Sequence, residues 1–126
     1  MRNEKSGNQG KPQEIGERAF RFAVRVVKLC RRLGEQQGVP RPLANQLLRS
    51  GTSIGANLEE SKGGQTKADY LTKVSIALKE ARETHYWLRL LAATDIVPAK
   101  QLASLTDEAN QIVAILTTII KNLKSS

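Results

Sequence analysis

From Ile15 onward the apolar residues recur every third or fourth position, the period of an α-helix packed along one side. Ile15, Ala19, Phe22, Val26, Leu29 and Leu33 draw the first such line and predict a helix over 15–33. Gly34, Gly38, Pro40 and Pro42 then break it. A second helix over about 41–62 carries Leu43, Leu47, Ile54 and Leu58 on one side and stops at Lys62-Gly63-Gly64. Thr66 followed by Asp69 has the form of a capping box with Asp in place of the usual Glu. It opens a third helix over 67–93 on the heptad Tyr70, Val74, Ala77, Ala81, Thr84, Leu88 and Leu91. Pro98 suits the first turn of a fourth helix over 98–123, whose line is Leu102, Leu105, Ala109, Ile112, Leu116, Ile119 and Leu123. No sustained two-residue alternation predicts a strand. Four helices of similar length with short connections predict an all-α, antiparallel up-down-up-down four-helix bundle over 15–123. Residues 1–14 read as a flexible, polar and basic tail.

Two of these helices are apolar on more than one side. Phe20, Val24 and Val27 form a second arc on the first helix, and Ile76, Glu80, Glu83, Trp87 and Leu90 a second line on the third. A bundle this small cannot cover both faces of two helices internally, so these residues are read as the interface of a homo-oligomer. Glu80 and Glu83 are expected to pair with arginines across a helix or subunit contact. The middle of the second helix, Ser50-Gly51-Thr52-Ser53-Ile54-Gly55-Ala56-Asn57, costs roughly 1 kcal/mol in propensity at each glycine. Gly51 and Gly55 share a side with Ala44 and Leu48, where a neighbouring helix backbone could come close.

Charge changes the picture. The net charge is +8, and residues 1–49 hold 11 basic against 4 acidic side chains, so the excess belongs to the N-terminal part. Arg18, Arg21, Arg25, Lys28 and Arg32, with Arg31 beside them, recur at helical spacing along the first helix. Cations stacked this closely repel one another, and a polyanion relieves that repulsion. Nucleic acid is the partner this stripe suits, bound through its phosphate backbone. The competing reading is a merely solvated face, or a protein–protein scaffold that meets an acidic partner and binds no nucleic acid.

Convergent reactive groups are missing. His85 is the only histidine and Cys30 the only cysteine, on different helices, so neither a metal site nor another cofactor is expected, and no enzymatic activity. Glu80 and Glu83 lack the histidine partners of a di-iron bundle site, since residue 86 is Tyr86. Cys30 reads as a buried packing residue, and a lone cysteine suits a reducing, cytoplasmic setting. No apolar run approaches the ~18–20 residues of a bilayer span, so no membrane association is expected.

The segments QLLRSGTSIGANLEES and SIALKEARETHYWLRLL together resemble one family. Arg49, Ser50, Ser53, Ile54, Asn57 and Glu60 fit its R-S-x-x-S-I-x-x-N-x-x-E pattern. Ala77, Leu78, Glu80, Glu83, Tyr86, Trp87 and Leu88 fit A-L-x-E-x-x-E-x-x-Y-W-L. Ser61 departs, standing where relatives usually have glycine. The family is that of the small four-helix-bundle proteins encoded in intervening sequences of bacterial large-subunit ribosomal RNA genes. The chain is similar, more distantly, to the accessory variability protein of diversity-generating retroelements. The resemblance implies a ring-like homopentamer without an enzymatic site, and the distant one implies a reverse transcriptase and nucleic acid as partners.

Overall fold

A computed structural model describes residues 12–126 of the chain; the predicted tail lies outside the described residues up to residue 11. Four helices follow one another: α1 (Pro12–Leu33), α2 (Pro40–Ser61), α3 (Lys67–Ala93) and α4 (Ala99–Ser125). No strand occurs among the described residues. α1 begins three residues before Ile15, within the stretch expected to be tail, with Pro12 as its first residue. That position suits proline, whose missing N–H has no partner there in any helix.

Each helix turns its predicted line inward. Ile15, Ala19, Phe22, Val26, Leu29 and Leu33 are buried on α1, as are Val74, Ala77, Ala81, Leu88 and Leu91 on α3. On α4, Leu102, Leu105, Ala109, Ile112, Leu116 and Ile119 are buried and Leu123 half-buried. α2 contributes Ala44, Leu47, Ile54 and Leu58, while Leu43 packs against the edge of the core. The helices form a closed circuit in which α1 touches α2 and α4, and α3 touches the same two; α1 against α4 is the loosest seam. Partners count in opposite directions along each seam observed. Ser50 lies beside Thr84 and Glu60 beside Lys73, while Arg18 meets Glu108 and Arg25 meets Ser104.

The glycines of α2 seat it against α1. A methyl group built on Gly51 would come within 2.8 Å of a Val26 methyl, whereas one on Gly55 would sit at 3.6 Å from Ala19, an ordinary contact. The polar residues around them satisfy themselves. Thr52, Ser53 and Asn57 donate to the carbonyls of Leu48, Arg49 and Ser53, one turn back. Ser50 and Thr84, both fully buried, are hydrogen-bonded to each other at 2.9 Å and tie α2 to α3.

The helix ends differ in detail from the sequence expectation. Thr66 accepts from the Asp69 N–H at 3.0 Å, but the shorter Asp carboxylate bonds the N–H of Gln65 and not that of Thr66. Neither Gly63 nor Gly64 takes positive φ; α2 ends by tightening into three-residue bonds such as Gly63 N–H to Glu60 C=O. Pro98 caps α4 from outside its first turn. Asp95 holds φ 59° beyond the end of α3, with the Ile96 N–H bonded to Leu91 C=O and its own N–H to Ala92 C=O. This is a Schellman ending with aspartate where glycine is usual.

Candidate nucleic-acid interface

The six cations chosen from the sequence lie on α1 beside α4, and the structure divides them. Arg18 is not free. Its Nε donates to Glu108 Oε2 at 3.0 Å and its Nη2 to Glu108 Oε1 at 2.7 Å, with a further bond to Gln111. Gln111 in turn donates to Asp107. The Arg18 hydrogen bond to Glu108 and the charge of that carboxylate raise the guanidinium pKa further above its ordinary value, against the opposing effect of partial burial. Arg18 therefore fastens the loose seam, which corrects the expectation that the whole stripe faces solvent. Glu108 lies 90 positions away in the chain, and no local spacing points to it.

Arg21 stays exposed, with Glu17 at 3.9 Å one turn back. Arg25 donates to the Ser104 hydroxyl at 2.9 Å and keeps its charge uncompensated. Lys28, Arg31 and Arg32 are exposed, and among the described residues no carboxylate lies within ion-pair distance of these three or of Arg25. Arg25, Lys28 and Arg32 edge a groove of about 210 Å³ between α1 and the start of α4, floored by Leu29, Leu102 and Leu105.

The residues expected at an oligomer interface separate into two groups. Phe20, Val24 and Val27 are exposed on α1, Phe20 at 64% of its surface. Phe20 overhangs a groove formed with Thr52, Gly55 and Ala56 of α2. On α3, Ile76 and Leu90 are half-buried, and Glu80 and Glu83 are taken up within the chain by Arg49 of α2. The Arg49–Glu80 distance is 3.2 Å. Trp87 Nε1 donates to Glu83 at 3.0 Å, and Tyr86 meets the indole edge-on at 5.2 Å. Sequence reasoning placed Arg49 in a motif without giving it a partner. The complementary signal was the pair of carboxylates one turn apart on the next helix.

Cys30 is buried on α1, and burial pushes its thiol up to about 11. His85 lies half-buried on α3 in the shallow groove against α4, with Arg89 and Asp107. Among the described residues no three His, Cys, Asp or Glu side chains gather as metal ligands, and no helix is long and apolar enough to cross a membrane.

A four-helix bundle with a cationic seam and an arginine–glutamate–tryptophan cluster is thus the class these features define. The chain belongs to the 23S rRNA-intervening sequence protein family, whose model matches residues 11–118. It is similar, at 41% identity and a TM-score of 0.81, to a protein of unknown function from the S23 ribosomal protein family of Bacteroides thetaiotaomicron VPI-5482. That likeness covers 88% of this chain and 98% of the other. No curated protein matches the chain.

Proposed function

We propose that this protein is a non-enzymatic accessory that assembles as an antiparallel-bundle homo-oligomer and binds RNA or DNA through its phosphate backbone. The observation that carries the reading is the row of exposed cations Arg25, Lys28, Arg31 and Arg32, which have no carboxylate partner among the described residues. A cation row kept clear of carboxylates maintains a local positive potential, which a phosphodiester chain neutralises with release of its counterions. The exposed Phe20, Val24 and Val27 support self-association. A ring would repeat the cation row in every protomer and convert modest attraction into avidity. Membership of a family associated with ribosomal RNA intervening sequences agrees with an RNA partner. Few aromatic groups are placed to stack on bases, so the binding is sequence-tolerant.

The test is retention of a labelled single-stranded RNA oligonucleotide at increasing salt. Four phosphate contacts predict a log–log slope of about −3. A wild-type protein that retains no RNA at low salt, but captures an acidic polypeptide, belongs to the scaffold alternative instead.

A further inference from the structure

The charge excess is polarised along the bundle axis as well as along the chain. With partners counting in opposite directions on each seam, α1 and α3 end where α2 and α4 begin. The half of the bundle toward that end, residues 25–51 and 82–107, holds nine lysines and arginines against four carboxylates. The other half of the described residues holds eight against seven. Among the described residues, most of the uncompensated charge therefore sits at one end. Arg18 and Arg21 lie on the balanced half, the first taken by Glu108 and the second beside Glu17.

Favourable interaction with the helix terminus explains part of the arrangement. Arg31 and Arg32 occupy the last turn of α1, where cations complement the helix dipole. That account leaves out Arg25 and Lys28, two turns and one turn further back, and Lys100 and Arg41 at the starts of α4 and α2. Those two helices begin with no acidic residue in the first turn and no side-chain cap, whereas α1 has Glu14 and α3 has Thr66 and Asp69 at the opposite end. Local helix electrostatics would place carboxylates at the starts of α2 and α4. Their absence there keeps the end positive.

We infer that the phosphodiester chain is engaged at this one end of the bundle, by Arg25, Lys28, Arg31, Arg32 and Lys100, and that Lys62, Lys121 and Lys124 toward the opposite end contribute little. This rests on the polyanion reading above and assigns it a location. Phosphates would lie across the groove between α1 and the start of α4, held by side chains from two helices.

Two triple variants with equal change in charge separate location from net charge. Lys28→Gln/Arg31→Gln/Arg32→Gln alters the basic end, and Lys62→Gln/Lys121→Gln/Lys124→Gln the opposite one. Fluorescence anisotropy with a labelled single-stranded RNA should show affinity falling at least tenfold for the first and less than twofold for the second. The salt slope should flatten by about 2 in the first only. Lys28→Gln/Lys100→Gln, which leaves the last turn of α1 untouched, should lose affinity as well and guards against misfolding of the triple variant. Equal losses in both triple variants would overturn the placement while leaving polyanion binding intact. A wild-type protein that binds no RNA removes both, and preference of the basic end for an acidic polypeptide over RNA removes the placement of phosphates there.

Discussion

At the scale of single residues, two glycines four positions apart in one helix are expected to respond oppositely to the same substitution. Gly51→Ala forces a methyl into Val26, which is fully buried and, being β-branched, has one favoured rotamer in a helix. Overpacking of this kind costs about 1–3 kcal/mol and outweighs the roughly 1 kcal/mol gained in helix propensity. Gly55→Ala meets only ordinary contacts and should gain about 0.5–1 kcal/mol. Urea unfolding of the two variants measures both signs, and Val26→Ala combined with Gly51→Ala should recover part of the loss. Sequence placed both glycines on a contact face. It could not distinguish them, because the distinction depends on which α1 residue lies opposite. The same scale fixes a pH dependence. Burial raises the thiol of Cys30 to about 11, so the folded state holds that proton more tightly than the unfolded chain. Stability from this group is complete below the ordinary thiol range and declines as pH rises toward 11. Burial also raises the Tyr70 phenol, whose hydroxyl has no hydrogen-bond partner, and acts in the same direction. Denaturation midpoints measured from pH 8 to 11 should fall, and Cys30→Ala should flatten the decline. At pH 8 the native thiol should react with a disulfide reagent only on the timescale of unfolding.

Between elements, the bidentate clasp of Arg18 on Glu108 stands at the loosest seam of the bundle. Glu108→Gln should weaken it, costing on the order of 1 kcal/mol. The same change frees Arg18 on the half of the bundle away from the engaged end, so affinity for RNA should stay within twofold of wild type while the melting temperature falls. A lower melting temperature at unchanged affinity identifies the clasp as a structural contact, whereas a clear rise in affinity would place Arg18 at the RNA. The elements themselves were legible because α1, α3 and α4 each carry one uninterrupted apolar line, and a 3.6-residue period is unambiguous over twenty residues. Their partners were not. Arg18 and Glu108 belong to helices separated by the whole length of α2 and α3, and nothing in the periodicity of either selects the other. Helix ends were harder for a different reason. Asp95 takes the left-handed position that sequence rules assign to glycine, and the two glycines after α2 decline it.

For the whole molecule, exposed Phe20 gives a direct test of assembly. Phe20→Ser should leave helicity and monomer stability unchanged, because the ring makes little core contact, and should lower the mass measured by light scattering. The α3 group is less clean a probe, since Trp87 is bonded to Glu83 and Glu83 to Arg49 within the chain. The sequence showed that the cations cluster near the N-terminus, but not that folding would bring them to one end together with Lys100 and Arg41. That follows from tertiary contacts such as Arg25 with Ser104 and Val26 with Gly51, which no local spacing selects. The uneven axial charge also governs how such bundles can meet lengthwise. Strongly cationic ends repel one another, more than the described residues of the opposite ends do. An end-to-end arrangement of two copies with their cationic ends facing is therefore the one this charge distribution opposes most.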